Sequence, residues 1–560
     1  MSSTNRHVAP RRDKTPWLIA LGAAIVSVLA YWVTARHSAV LTYTDAISHM
    51  EIARRVVRGA TPSFAQLGSV WLPLPHLAML PFIWVDSLYT NGFAGAIVSM
   101  VAYVGAVVLI YKITHQLTGG KKFASIIAAI IFGINVNMMY LQSTPMTEAL
   151  LFATMLAAVY YVQQWAFNSH PRNLIKAGVW ALLSTLARYE SWPILMGLTV
   201  AVVAIAWCRH SMLKPKGDNG HKPSKLNVPG KGTAAVRRRN PMLWMRTGST
   251  ADKVIAFGMA AFAGIGGWAV YNWAIFGSPT NFQNGEYAKP SIWVPKGELA
   301  VHNWSASGRT YWYAMVDDIT LPVLILAMIG LVAFLVFELR RGTTTRTLPV
   351  LSLLIPVPFF ILCLWTGQRP LHVAQVTGDL YNTRYGLIML MPVAIFIGYL
   401  VGCIQQRVKI KLVGIAVGAL VLAGTLLVNG SLLHKGDIIT YRDPAIGLTS
   451  DITHQQYNAM DAFNQNYHGG RVLMESFGNE QVGRIIPSEQ WIYEGSYHLW
   501  DPALSDPAGH QISTIVMRCG SSPDKVCKHF HGKTPGGYKL AYEGANANKS
   551  TIYRIFTRQK

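Results

Sequence analysis

Long apolar runs recur from residue 17 to residue 428, separated by connectors in which nearly all the charge is Lys or Arg. A bilayer core takes about 20 apolar residues per crossing helix, and lipid offers no water to satisfy an open backbone. A chain patterned this way is confined to a bundle of membrane-crossing helices. The composition agrees, since 51% of residues are hydrophobic and only 13% charged, far from a single soluble core. A formal charge of +23 would suit a nucleic-acid binder. Here the Lys and Arg concentrate in short connectors, where they set topology, and nucleic acid is rejected as a partner.

The spans are read as 17–34, 95–113, 123–141, 149–167, 174–189, 192–207, 254–276, 321–339, 348–365, 387–404 and 412–428, about eleven in all. Arg6, Arg11, Arg12 and Lys14 precede the first, which keeps the tail 1–16 in the cytoplasm and puts the loop 37–92 outside. Within that loop, 71–85 is apolar but short and interrupted by Pro73, Pro75 and Pro81. It is read as membrane-embedded without crossing, because only then do Lys121, Lys122, Arg172, Lys176 and the basic loop 208–250 fall in the cytoplasm. From Cys208 to Ser249 ten Lys or Arg stand against Asp218 alone, the composition of a linker near anionic lipid.

An odd number of spans leaves 431–560 outside. From Gly430 on, thirteen Lys or Arg face twelve Asp or Glu, unlike the basic connectors. A helix over 453–466 and β-rich runs at 471–476, 512–517 and 551–556 predict a small α/β or α+β domain. Cys519 and Cys527 are free to bridge there or to stay thiols. Trp491, Tyr493, Tyr497 and Trp500 have two readings, sugar-stacking faces or the core of a small domain.

Directly after the first span, TDAISHMEIARRVVR predicts a helix lying in the membrane interface. Ala46, Ile47, Met50, Ile52, Ala53, Val56 and Val57 form its apolar arc, and Ser48, Glu51, Arg54, Arg55 and Arg58 lie opposite. Asp45 and His49, four apart and on one face, interrupt the arc. Asp45 is either a helix cap or part of a site. Three clusters share its side of the membrane. Gln142 to Glu148 form an outer turn, with Glu148 at a helix start where an acid suits the dipole. Arg188, Tyr189 and Glu190 sit at another outer boundary. Arg384 and Tyr385 follow Asn382 and Thr383 at a third, where an arginine runs against the positive-inside bias. Arg384 is at the depth of a lipid phosphate and is suited to hold one bidentately. The set suits transfer of a group from a lipid phosphate to an external hydroxyl, with Asp45 as general base. No P-loop or dinucleotide fingerprint occurs.

Four stretches in this order, TDAISHMEIARRV, WLPLPHLAMLPF, PMTE ending at Glu148 and NTRYGLIMLMP, resemble the glycosyltransferase C superfamily, in the branch of protein O-mannosyltransferases and aminoarabinose transferases. The resemblance runs from 17 to about 430. It implies an all-α polytopic membrane domain over 17–430, with the external domain after it. It also implies a polyprenyl-phosphate sugar donor, an extracytoplasmic protein, glycan or lipid acceptor, and a place in the cytoplasmic membrane of a prokaryote. By the same resemblance Asp45 is catalytic, Glu148 assists it or holds a divalent metal ion with it, and Arg384 contacts the donor phosphate. The residues themselves add His49 as a further catalytic candidate and Tyr385 and Arg188 as further candidates for the phosphate. The chain departs from the mannosyltransferases in carrying Asp45-Ala46 where they have an Asp-Glu pair. A transporter or flippase of lipid-linked sugar is the alternative. Its usual internal repeat is not visible here, and the polar clusters lie at the outer surface rather than the midplane.

Overall fold

The computed structural model describes residues 13–213, 250–342 and 344–559. Most of the expected linker 208–250 and of the tail 1–16 lies outside the described residues.

Among the described residues, nine helices are long and apolar enough to cross a membrane. The chain is a multi-pass, mostly helical membrane protein that ends in a small sheet domain. The difference from about eleven spans lies in two segments. The run 123–141 is a helix Lys122–Gly133, a break, and a short helix Val136–Leu141. Asn135 makes the break by accepting from the Met138 N–H at 2.9 Å. Asn135 and Asn137 both donate to the Asp318 carbonyl, at 2.9 and 3.0 Å, and the Thr440 N–H donates to Asn137 at 3.1 Å. Freed backbone groups are thus satisfied inside protein, the condition for irregular chain at membrane depth. The run 174–189 becomes a helix Pro171–Thr185, shorter than a span and buried along one face.

The segment Thr383–Arg407 is the axis of the bundle. Its apolar window is 89% buried, against 17% for the first helix, α1 (Thr15–Arg36). Trp17, Leu21 and Ile25 of α1 are exposed, as lipid-facing side chains are. The axis packs against Leu321–Arg341 on one side and Lys122–Gly133 on the other, and Phe93–Leu117 joins α1 to Glu148–Asn168.

Basic connectors meet at one end of this bundle. Lys122 pairs with Asp13 at 2.9 Å, Arg209 donates to the Trp165 and Ala166 carbonyls, and Gln406 links Arg341 to the Thr118 carbonyl. At the other end lie α2 (Thr44–Arg58), the short apolar helix α3 (Leu74–Ile83) and the sheet domain.

The sheet has the order β2-β1-β3-β5-β4, with β1 (Arg471–Leu473), β2 (Trp491–Ile492), β3 (Ile512–Gly520), β4 (Tyr538–Ala545) and β5 (Thr551–Arg558). β1 runs parallel to β2 and β3, and β5 runs antiparallel to β3 and β4. Alternation sends Val472, Val516 and Ile555 to the face covered by Phe463, and Leu473, Ile515 and Phe556 to the other. Phe463 belongs to the helix Asp451–Asn466, the one predicted over 453–466. Cys519 and Cys527 are joined in a disulfide, tying β3 to the helix Lys525–Phe530.

Trp491 and Tyr493 meet neither expectation fully. Both are buried in the sheet domain's core, yet their rings also enclose the Arg55 guanidinium of α2, at 4.2 and 4.0 Å. Arg55 donates to Glu51 at 2.8 Å, and Arg58 donates to Glu489 at 2.6 Å. Gln66 extends the seam by donating to the Gly495 carbonyl. Gly483 lets the helix approach, since a Cβ there would meet the Trp491 ring at 2.3 Å and Glu51 at 2.9 Å. The polar face of α2, which an interfacial helix would leave in water, is therefore covered, by the sheet domain along Glu51, Arg55 and Arg58 and by α3 at Arg54, which donates to the Ile83 carbonyl at 2.6 Å. Glu51, Arg54 and Arg55 are all buried. Burial pushes the Glu51 carboxyl up to about 8 despite Arg55 beside it.

Candidate functional site

The opposite face of α2 carries the site. Asp45 sits in the first turn, but its side chain does not cap the helix; it accepts from Arg384 Nη2 at 2.6 Å. Arg384 also donates through Nε to Glu148 Oε1 at 3.1 Å. One buried guanidinium thus joins carboxylates from two other elements, separated by 339 and 236 residues of chain. Asn382 in the left-handed conformation, at φ +55°, starts the 3-10 turn Thr383–Met389 that delivers Arg384 inward. Asp443 fixes that turn by accepting from the Thr383 N–H at 2.9 Å and its hydroxyl at 3.0 Å. Tyr43 lies under the guanidinium at 4.8 Å and Tyr385 at 5.5 Å.

Glu148 opens its helix from a turn held to α1, where Ser27 donates to Gln142 at 2.6 Å. Glu148 Oε1 accepts a second arginine, Arg188, at 2.7 Å, and Thr147 accepts the same nitrogen at 2.9 Å. Arg188 forks onto Glu190 with bonds of 3.1 and 3.0 Å. Burial works to raise the Glu190 carboxyl, but Arg188 and Arg369 together hold it down at about 2.

The structure brings together all six sequence-predicted residues. Asp45, His49, Arg188, Arg384 and Tyr385 line one cavity of about 60 Å³, with Glu148 bonded to two of them. That is room for about two waters. Sequence reading missed two of its walls, Arg369, whose guanidinium is 4.0 Å from Glu190, and Trp71, and it missed His76, which lies behind His49 and outside the lining. Arg369 stands alone in the loop after Trp365, with no cluster to mark it. His49 is buried, with Nδ1 at 2.9 Å from His76 Nε2 of α3. Burial, and then the charges of Arg188 and Arg384, push His49 down to about 3, so it is neutral throughout the physiological range.

Three carboxylates, Asp45, Glu148 and Glu190, therefore balance three guanidiniums, Arg188, Arg369 and Arg384. The expected metal ligands do not form a cation site in this arrangement. Arg384 occupies the place between Asp45 and Glu148, and hard divalent ions ask for about six or more oxygen ligands. Among the described residues no group of three or more His, Cys, Asp or Glu is placed to hold a metal.

Fold and site are those of a multi-pass helical membrane protein, and one family match supports the glycosyltransferase C resemblance read from the sequence. The model of the dolichyl-phosphate-mannose-protein mannosyltransferase family matches residues 87–217, a stretch that holds Glu148, Arg188 and Glu190 but not Asp45, Arg369 or Arg384. Among solved structures, the chain is similar to the archaeal oligosaccharyltransferase AglB from Archaeoglobus fulgidus, determined in complex with an inhibitory peptide and a dolichol-phosphate. The TM-score is 0.48 at 12% identity, over 95% of this chain and 80% of that one. A comparison with curated proteins returns no match.

Proposed function

We propose that the protein transfers a sugar from a polyprenyl-phosphate donor to a hydroxyl of an extracytoplasmic acceptor. Asp45 is the general base and Arg384 the principal ligand of the donor phosphate. The observation that carries this reading is the buried contact of Arg384 with both Asp45 and Glu148, at the end of the bundle away from the basic connectors. That arrangement supports an active site facing outward, by the positive-inside bias. The Cys519–Cys527 disulfide supports an oxidising surrounding for the sheet domain. We place the protein in the cytoplasmic membrane of a prokaryote, with the sheet domain outside.

The chemistry follows from competition for one guanidinium. A donor phosphodiester brings one negative charge into a cluster that is already balanced, so it takes Arg384 at the expense of Asp45. Asp45, the more exposed of the two carboxylates on Arg384, turns to the acceptor. The acceptor oxygen attacks the anomeric carbon as the carbon–oxygen bond to phosphate breaks, with inversion. The hydroxyl proton passes to Asp45. The departing phosphate gains a second charge, which Arg384, Arg188 and Arg369 stabilise without reorganising. Glu148 and Glu190 keep those arginines in place.

The test is purified protein in lipid, given polyprenyl-phosphate sugars and a cell-envelope extract. Sugar on an acceptor supports the proposal. Donor moved across the bilayer with no transfer overturns it in favour of a flippase.

A further inference from the structure

His49, in the cavity wall, and His76 behind it form a hydrogen-bonded imidazole pair, and nothing in the transfer chemistry above uses it. An N···N contact of 2.9 Å holds one hydrogen, and two neutral imidazoles carry one N–H each. Two arrangements satisfy that count. In the first, His49 donates from Nδ1, and the hydrogen of His76 sits on Nδ1, which is buried with no partner among the described residues. In the second, His76 donates from Nε2, and the hydrogen of His49 sits on Nε2, which has no hydrogen-bond partner among the described residues and belongs to a residue that lines the cavity. Buried N–H groups without a partner are rare, and a bare acceptor is the lesser cost. The second arrangement is therefore favoured.

Resting on the transferase reading, we propose that His76 is a positioning residue that fixes His49 with Nε2–H directed into the cavity, where His49 donates to an oxygen of the bound sugar phosphate. The groups facing His49 are Asp45 on its own helix, His76 on α3, and Arg188, Glu190, Arg369 and Arg384 across the cavity. The guanidiniums by themselves disfavour a further positive end there, and an anionic guest reverses that preference. Trp71 closes the remaining side, its ring 4.8 Å from that of His49. His49 thereby adds a neutral donor beside the three guanidiniums.

The experiment compares His49→Leu, His49→Gln, His76→Gln and His76→Glu in full-length protein in lipid, with polyprenyl-phosphate sugars, from pH 5.5 to 9. His49→Leu is expected to lose about 10- to 100-fold in transfer, the effect of one hydrogen bond to a charged group. His49→Gln, which keeps an N–H near the Nε2 position, recovers a substantial part. His76→Gln still donates to Nδ1 and keeps the wild-type pH profile. His76→Glu only accepts, moves a hydrogen to His49 Nδ1, and makes transfer depend on the imidazolium, so its rate falls as pH rises while the wild type shows no such step. A ¹⁵N-histidine spectrum of the wild type shows His49 protonated at Nε2. His49→Gln as inactive as His49→Leu, a wild-type profile for His76→Glu, or a spectrum with His49 protonated at Nδ1 overturns the inference. An inactive wild type contradicts the transferase reading instead, and the spectrum then tests the imidazole pair by itself.

Discussion

Truncating Arg55 tests whether the sheet domain holds the helix that carries the site. The guanidinium is buried between two rings and donates to Glu51 at 2.8 Å. A desolvated cation over aromatic faces contributes about 2 kcal/mol, and a hydrogen bond to a charged group about 1.5–3 kcal/mol. Arg55→Ala therefore costs about 3–5 kcal/mol at this seam, raising its local opening by about 10²- to 10⁴-fold. The pH dependence has a definite sign. The folded Glu51 carboxyl is raised to about 8, so its contribution is complete below its ordinary value near 4.5 and is lost as pH rises through 8. Without Arg55 nothing compensates the ionised form, and the defect deepens above pH 8. Hydrogen exchange read over 44–58 and 480–495 should show both segments losing protection together, with transfer falling because Asp45 rides on the same helix. Unchanged exchange at both segments would refute the claim that this contact couples the domains.

Other consequences are measurable in the same preparation. Arg384→Lys keeps a charge but cannot reach Asp45 and Glu148 with two separate donors, and should lower kcat/KM by about 10²-fold; activity within threefold of wild type would remove Arg384 from the phosphate. His372 has Glu298 at 3.0 Å and Asp379 at 2.8 Å on its two ring nitrogens, so both must carry hydrogen. Burial opposes it, but the bonds to the two carboxylates raise its pKa. The contribution is thus complete below about 6.5 and is lost as pH rises through the raised value. His372→Gln should reduce protection of the loop 368–382 at pH 6 and leave it unchanged well above that range. Reducing the Cys519–Cys527 bridge, which closes a short loop, should cost the sheet domain about 2–3 kcal/mol and lower its melting transition in full-length protein; an unchanged transition would contradict this.

Asp45, Glu148 and Arg384 were legible because each departs from a strong local rule. An acid interrupts an apolar arc, another opens an outer helix, and an arginine sits on the wrong side of the charge bias. Arg369 breaks no such rule, since a lone basic residue in a loop next to a proline is unremarkable until the fold brings Glu190 to within 4.0 Å. The seam between α2 and the sheet domain was illegible for another reason. Arg58 and Glu489 are 431 residues apart, and no periodicity relates them. An amphipathic helix on a membrane and one covered by a second domain have the same pattern. The broken run 123–141 hid because hydropathy averages over Gly133 and Asn135, whereas the side-chain bonds that hold Asn135 and Asn137 at the break reach Asp318 and Thr440 far along the chain.

The most direct measurement is sugar transfer by Asp45→Asn alongside donor binding by the same variant. Asparagine keeps the shape and a hydrogen-bonding oxygen but cannot take the acceptor proton. The account predicts that transfer falls by at least about 10²-fold while donor binding persists. Transfer at the wild-type rate would contradict the role of Asp45 as base, and with it the proposed mechanism.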